Sequence, residues 1–162
     1  MRTTVSALSL LLTTTFVTAE PAEAWLDAKT AIQAMQQGEL SSEQLVRYYL
    51  ARIAEHNQQG HQLSAIADIN PQALAQAKLL DQQRANGTVL SPLHGLPVVL
   101  KANIATDDTM PTTAGALALK GHLTSLDAAL VEQLRAAGAV ILAKTNLSEW
   151  ANFRGEGSAS GW

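Results

Sequence analysis

The chain has 162 residues, 47% of them hydrophobic, 15% charged and 4% aromatic. That length and balance suit one ordinary globular domain and exclude a disordered or fibrous chain. The formal net charge is -3 and no stripe of Lys and Arg is present, so nucleic acid is not an expected partner. With no cysteine there is no disulfide, thiolate metal site or cysteine nucleophile, and the redox compartment stays open.

Arg2 is the only charge before Glu20, and Val5 to Val17 is apolar or small hydroxyl throughout. Val17-Thr18-Ala19 and Ala22-Glu23-Ala24 both fit the small-residue pattern ahead of a signal-peptidase cut. Residues 1–19 therefore read as an export leader, with Ala24 as the alternative cut, and the protein is expected to be periplasmic or secreted. The run is too short and too rich in threonine to span a bilayer, so no membrane span is expected in the mature chain.

The mature part, residues 25–162, opens with helices. Trp25 to Gln37 carries apolar residues at Leu26, Ile32 and Met35, and Gly38 is a C-terminal stop. Ser41-Ser42-Glu43-Gln44 is a capping-box pattern with Ser41 as N-cap and Gln44 three positions on. Leu45, Tyr48, Tyr49, Arg52 and Ile53 follow, which packs one face of this second helix through its tyrosines. Ser64 to Ile69 reads as a short strand. Asn70-Pro71 then starts a third helix, its Gln- and Ala-rich stretch from Gln72 to Ala85 expected to be a solvated surface.

After Gly87 the composition shifts to Gly, Pro, Thr and aliphatics. Leu93-His94-Gly95-Leu96-Pro97 is a turn into an apolar strand that ends at Lys101, and Thr109 to Gly115 is a loop. Leu126, Ala129, Leu130, Leu134 and Ala137 form a helical stripe, with Asp127 in its first turn and Gly138 past its end. A second apolar strand, Ala139 to Ala143, then runs into Lys144. Strand–helix–strand order implies a right-handed parallel crossover. Both lysines then lie at carboxyl ends of parallel strands, the edge where open α/β sheets place their sites. A lysine held there away from solvent loses its charge more readily and can serve as a general base. Strand position alone leaves the choice between Lys101 and Lys144 open.

Other motifs fail on inspection. In Gly157-Ser158-Ala159-Ser160-Gly161 the central residue is alanine, so no nucleophile elbow is present. Gly155-Glu156-Gly157 has no third glycine at dinucleotide-loop spacing, and no cofactor is expected. No serine stands three residues before a lysine, which excludes a Ser-x-x-Lys site. His56, His61, His94 and His122 lack metal-ligand spacing and read as loop or surface residues; no metal is expected.

Taken in order, several segments resemble the amidase signature family. They are Gly95-Leu96-Pro97-Val98-Val99-Leu100-Lys101-Ala102-Asn103-Ile104, then Thr112-Thr113-Ala114-Gly115, Asp127-Ala128, Leu134 to Val140, and Lys144-Thr145-Asn146-Leu147-Ser148-Glu149. The likeness runs from Leu93 to Trp162, and Trp150-Ala151-Asn152-Phe153-Arg154-Gly155 is similar to the peptide amidase branch. It implies an α/β fold with a mixed β-sheet sandwiched between helices, of which these residues are the N-terminal part.

The resemblance also implies chemistry. The lysine of G-x-P-x-x-x-K is the base of a Ser–cis-Ser–Lys triad, and that position here is Lys101. Lys144, with Thr145, Asn146 and Glu149, becomes structural. Both serines belong to a Gly/Ser-rich stretch expected after residue 162, so neither Ser158 nor Ser160 is nominated as nucleophile. The 162-residue chain alone is expected to be inactive. It is also expected to leave apolar faces such as Val98 to Leu100 and Val140 to Leu142 uncovered. Departures from the family pattern are Ala102 where Asp is common, Ala116 where Ser is common and Ala143 where Gly is common. The implied substrate is a small acyl amide or a peptide C-terminal amide; no oligomeric state is readable. Alternatives are a protein like the amidase-type subunit of glutamyl-tRNA(Gln) amidotransferase and a non-catalytic exported scaffold lacking the serine region.

Overall fold

The computed structural model describes residues 27–151. The leader, its two cut sites, Trp25, Leu26, Ser158 and Ser160 lie outside them.

Helix α1, Ala28–Gln37, starts where the Asp27 carboxylate accepts the Thr30 N–H at 2.9 Å and stops at Gly38 in the left-handed region. The capping box holds as expected at α2, Ser42–His56. Gln44 N–H donates to Ser41 Oγ at 3.0 Å and Ser41 N–H to Gln44 Oε1 at 2.8 Å. Asp81, far along the chain, adds a second cap by accepting the N–H groups of Ser42 and Glu43 at 2.8 and 2.9 Å. A carboxylate there also suits the positive end of the helix dipole. Met35, Leu40 and Leu45 close the seam between α1 and α2.

Strand β1, Ile66–Ile69, is shorter than the sequence suggests. Asn57 brackets Ile66, donating to its carbonyl and accepting its N–H at 2.8 and 2.9 Å. Asn70 then turns the chain while fastened to the sheet: its N–H and Nδ2 donate to Leu142 O and Ile141 O at 2.9 and 2.7 Å. Because Asn70 is committed to the sheet, α3 begins only at Ala73 and runs to Ala85. Its surface is solvated on the outside alone. Ala73 and Ala77 are fully buried and let the helix approach Val46, Val140, Leu142 and Ala143 closely.

Strand β2, Pro97–Lys101, helix α4, Ala129–Ala136, and strand β3, Val140–Thr145, complete the layer. The sheet order is β1-β3-β2, with β3 antiparallel to β1 and parallel to β2. The mixed α/β architecture expected from the sequence is therefore present. From Val140 to Ala143, β3 is apolar residue after residue because both its faces are covered. Val140, Leu142 and Ala143 face α2 and α3, while Ile141 packs with Leu100, Met110 and Val131 on the α4 side. That overturns the expectation of bare apolar faces at Val140 to Leu142; the apolar exposure among the described strands lies on the two edges, at Val99 of β2 and Ile69 of β1, 45% and 44% exposed.

Two further expectations need correction. On α4 the buried anchor is Val131, whereas Leu126 and Leu130 are 75% and 51% exposed. Asp127 precedes the helix and pairs with Arg135 at 2.8 Å. Gly95 turns at φ 84, where a Cβ would collide with the buried Ser42 hydroxyl, so this approach of the loop to α2 requires glycine. Among the described residues no helix is long and apolar enough to cross a membrane.

Candidate functional site

Parallel pairing brings the carboxyl ends of β2 and β3 together, with Leu100 opposite Lys144 and Lys101 opposite Thr145. Both strand-end lysines therefore reach the sheet edge that the sequence pattern selects. Their environments are opposite.

Lys101 has an exposed side chain on a fixed backbone. Its carbonyl accepts the Ile104 N–H at 2.9 Å, closing a tight turn. Within that turn Ala102 donates to Thr145 O at 3.1 Å and accepts from Ala114 N–H at 3.0 Å. The expectation that the strand end withholds Lys101 from solvent fails among the described residues, because β2 is an edge strand.

Lys144 has no solvent-exposed surface. Its Nζ donates to Ile104 O at 2.5 Å and to Thr112 Oγ1 at 3.2 Å. Burial holds the ammonium below the usual lysine value, against the pull of Asp108, Asp68 and Asp127. Asp68, opposite it on β1, has its carboxyl pushed up by burial and drawn back by the Lys144 charge. With its ammonium inaccessible and bonded to the loop, Lys144 fits the structural role that the resemblance implies. It is a strut under the turn that carries Lys101.

A charged cluster fixes the long loop that follows. Arg135 bridges Asp127 and Asp108 at 2.8 and 2.9 Å, and Asp108 also accepts from Thr106 Oγ1 and Met110 N–H. Thr112 to Gly115 is wedged between the Lys101 turn and the segment after β3. At Gly115, φ is 70 and a Cβ would stand 2.7 Å from Leu147 O. Beside this wedge opens a cleft of about 400 Å³, lined among others by Asp68, Thr113, Gly115, Lys120 and Asn146. Lys101 is not part of that lining.

Sequence reading missed several partners. Thr112 belongs to the Thr-Thr-Ala-Gly segment, but nothing in the sequence marks its hydroxyl as an acceptor for Lys144. Asp68 joins through strand pairing alone. His94 lies in a loop, as one half of its reading as a loop or surface residue has it, but is buried; Leu90 N–H donates to its Nδ1 at 3.3 Å and its Nε2–H to Leu80 O at 2.9 Å. Ala102, Ala116 and Ala143, where the family pattern differs, are all buried. Among the described residues no group of three His, Asp or Glu could hold a metal ion.

The family model described as Amidase matches residues 44–160. The chain is similar to the solved peptide amidase of Stenotrophomonas maltophilia, with a TM-score of 0.76 and 48% identity over 82% of this chain and 27% of that one. Peptide amidase has also been solved with the competitive inhibitor chymostatin. A probable amidase of Arabidopsis thaliana is 46% identical over 80% of this chain and 25% of its own length. The matching glutamyl-tRNA(Gln) amidotransferase subunit of Thermobifida fusca is 45% identical over 73% and 23%. The chain thus spans about a quarter of the length of these relatives.

Proposed function

The chain belongs to the amidase family, and from that premise we propose that the whole protein hydrolyses a carboxamide with Lys101 as the base of a Ser–cis-Ser–Lys triad. The observation that carries this reading is the contrast between the two strand-end lysines. Lys101 presents a side chain exposed among the described residues on a backbone pinned by Ile104, Thr145 and Ala114, while Lys144 is sealed beneath it. A base needs this combination of reach and fixed origin.

In the proposed reaction the unprotonated Lys101 amine draws a proton through the bridging serine from the nucleophilic serine. The nucleophile attacks the amide carbonyl, and backbone N–H groups stabilise the oxyanion. Collapse of the tetrahedral intermediate breaks the C–N bond, and the leaving nitrogen takes the proton and departs as ammonia or amine. Water then cleaves the acyl-enzyme to the carboxylate. Neither serine is assigned to a residue of this chain.

Likeness to a peptide amidase favours a peptide C-terminal amide as substrate, with a small acyl amide as the simpler member of the class. The amidotransferase reading has support in sequence identity but not in the leader pattern or in the Trp150-Ala151-Asn152-Phe153 segment. Incubated with an N-acylated peptide amide, the whole protein should release ammonia and the free acid without ATP or tRNA. Ammonia release from glutamine that depends on ATP and charged tRNA would favour the amidotransferase. Absence of turnover on every amide would favour the non-catalytic scaffold.

The export proposal rests on the pattern from Arg2 to Ala19. Expressed in a bacterial host, the mature protein should begin at Glu20 or Trp25 and collect in the periplasm. N-terminal sequencing that reads Met1 in a cytoplasmic product would overturn it.

A further inference from the structure

The loop after α2 folds back onto the helix that precedes it. Gly60, Gln62 and Ser64 take φ values of 49, 51 and 47, a region that non-glycine side chains enter only at a cost. A Cβ on Gly60 would lie 2.6 Å from Glu55 O and 3.1 Å from His56 Nδ1, so glycine alone allows the turn. Leu63 N–H to His56 O at 2.9 Å and Ser64 N–H to Asn57 O at 2.8 Å hold the fold-back. Its outcome is to set His61 against His56 with their Nδ1 atoms 2.9 Å apart and their rings tilted by 56°.

The far side of His56 is also arranged. Its Nε2 is buried without a hydrogen-bond partner among the described residues, and Glu55 Oε2 stands 3.4 Å away, steadied by Arg52 at 3.1 Å. A carboxylate behind one ring nitrogen is the usual setting of a histidine that binds metal through the other, because it fixes the tautomer and raises ligand basicity. The two Nδ1 atoms converge, and an ion bonded to both at zinc–nitrogen length would sit about 1 Å to the side of the line between them.

We propose that His56 and His61 form a two-imidazole site for a borderline divalent cation, of which Zn²⁺ is the type. Zinc–nitrogen bonds of about 2.0–2.1 Å at a tetrahedral angle set two ligand atoms roughly 3.3 Å apart. The present gap needs to widen by only a few tenths of an ångström. His61 is exposed, so an ion has access. No third His, Asp or Glu converges among the described residues, and the remaining positions fall to water or to a donor on a bound molecule. Sequence spacing hides the pair because α2 ends at His56 and the loop, not a helical turn, returns His61. Gln58 and Ser64 of this same loop line the 400 Å³ cleft, so an ion here would stiffen one of its walls.

The test is titration of the metal-stripped whole protein with Zn²⁺ by calorimetry, beside His56→Gln, His61→Gln and Glu55→Gln. One Zn²⁺ should bind per chain, tenfold or more weaker in either histidine variant, with a smaller loss in Glu55→Gln. Imidazole ¹⁵N spectra of the wild type should show both Nδ1 signals moving as the ion is added. Because His61 is exposed, His61→Gln should fold; should it not, the wild-type spectra alone decide. Binding that is unchanged in folded His61→Gln, shifts at Nε2 instead of Nδ1, or no saturable binding at all would each overturn the site.

Discussion

Lys101→Ala is expected to lower kcat for amide hydrolysis in the whole protein by on the order of 10⁴-fold or more, as when one member of a cooperating nucleophile–base unit is removed. The thermal midpoint should barely move. The Lys101 side chain is exposed in the described part of the fold, and surface substitutions of that kind stay within about 0.5 kcal/mol. The turn beneath it is held by backbone groups of Ala102, Ile104, Ala114 and Thr145, none of which the substitution touches. Lys101→Arg should rescue nothing, because a guanidinium remains protonated and cannot accept the serine proton. A folded Lys101→Ala enzyme that keeps its rate within tenfold would remove Lys101 from the mechanism.

Local signals were the legible ones. Ser41 and Gln44 spelled out their own reciprocal cap, Gly38 its left-handed stop, and the apolar runs ending at Lys101 and Lys144 their parallel strands. Each depends on residues a few positions apart or on a strand covered on both faces. What the sequence did not disclose is carried by distant pairs. Asp81 caps α2 from 39 residues away, and Lys144 reaches back 40 residues to the Ile104 carbonyl. The eight residues of α4 are too few for a stripe to show which leucines are buried, and Val131 proved to be the anchor. His94 shows the same limit: a buried imidazole satisfied by two backbone groups has no signature in residue type. For the candidate site, position was readable and environment was not. Strand ends located both lysines, the resemblance chose between them, and only the fold showed one exposed and the other sealed.

Lys144→Met is expected to destabilise the protein first and slow it second, the reverse of Lys101→Ala. It removes the donor from Ile104 O and Thr112 Oγ1, and unpaired acceptors of this kind cost about 1–3 kcal/mol. The turn that carries Lys101 then loses its strut. A displaced base lowers kcat by up to roughly 100-fold, far short of the loss when the base itself is absent. The stability difference should also depend on pH in one direction. In the folded state burial holds Lys144 below its ordinary value of 10.5, so between the lowered value and 10.5 the unfolded chain binds the extra proton. Wild-type stability therefore rises relative to Lys144→Met as pH increases through that window, and the gap between them should be wider near pH 10 than at pH 7. Urea unfolding of both proteins at the two pH values measures it. A gap that stays level or narrows would mean that Lys144 is not held below its ordinary value, and a kcat loss equal to that of Lys101→Ala at unchanged stability would exchange the roles of the two lysines.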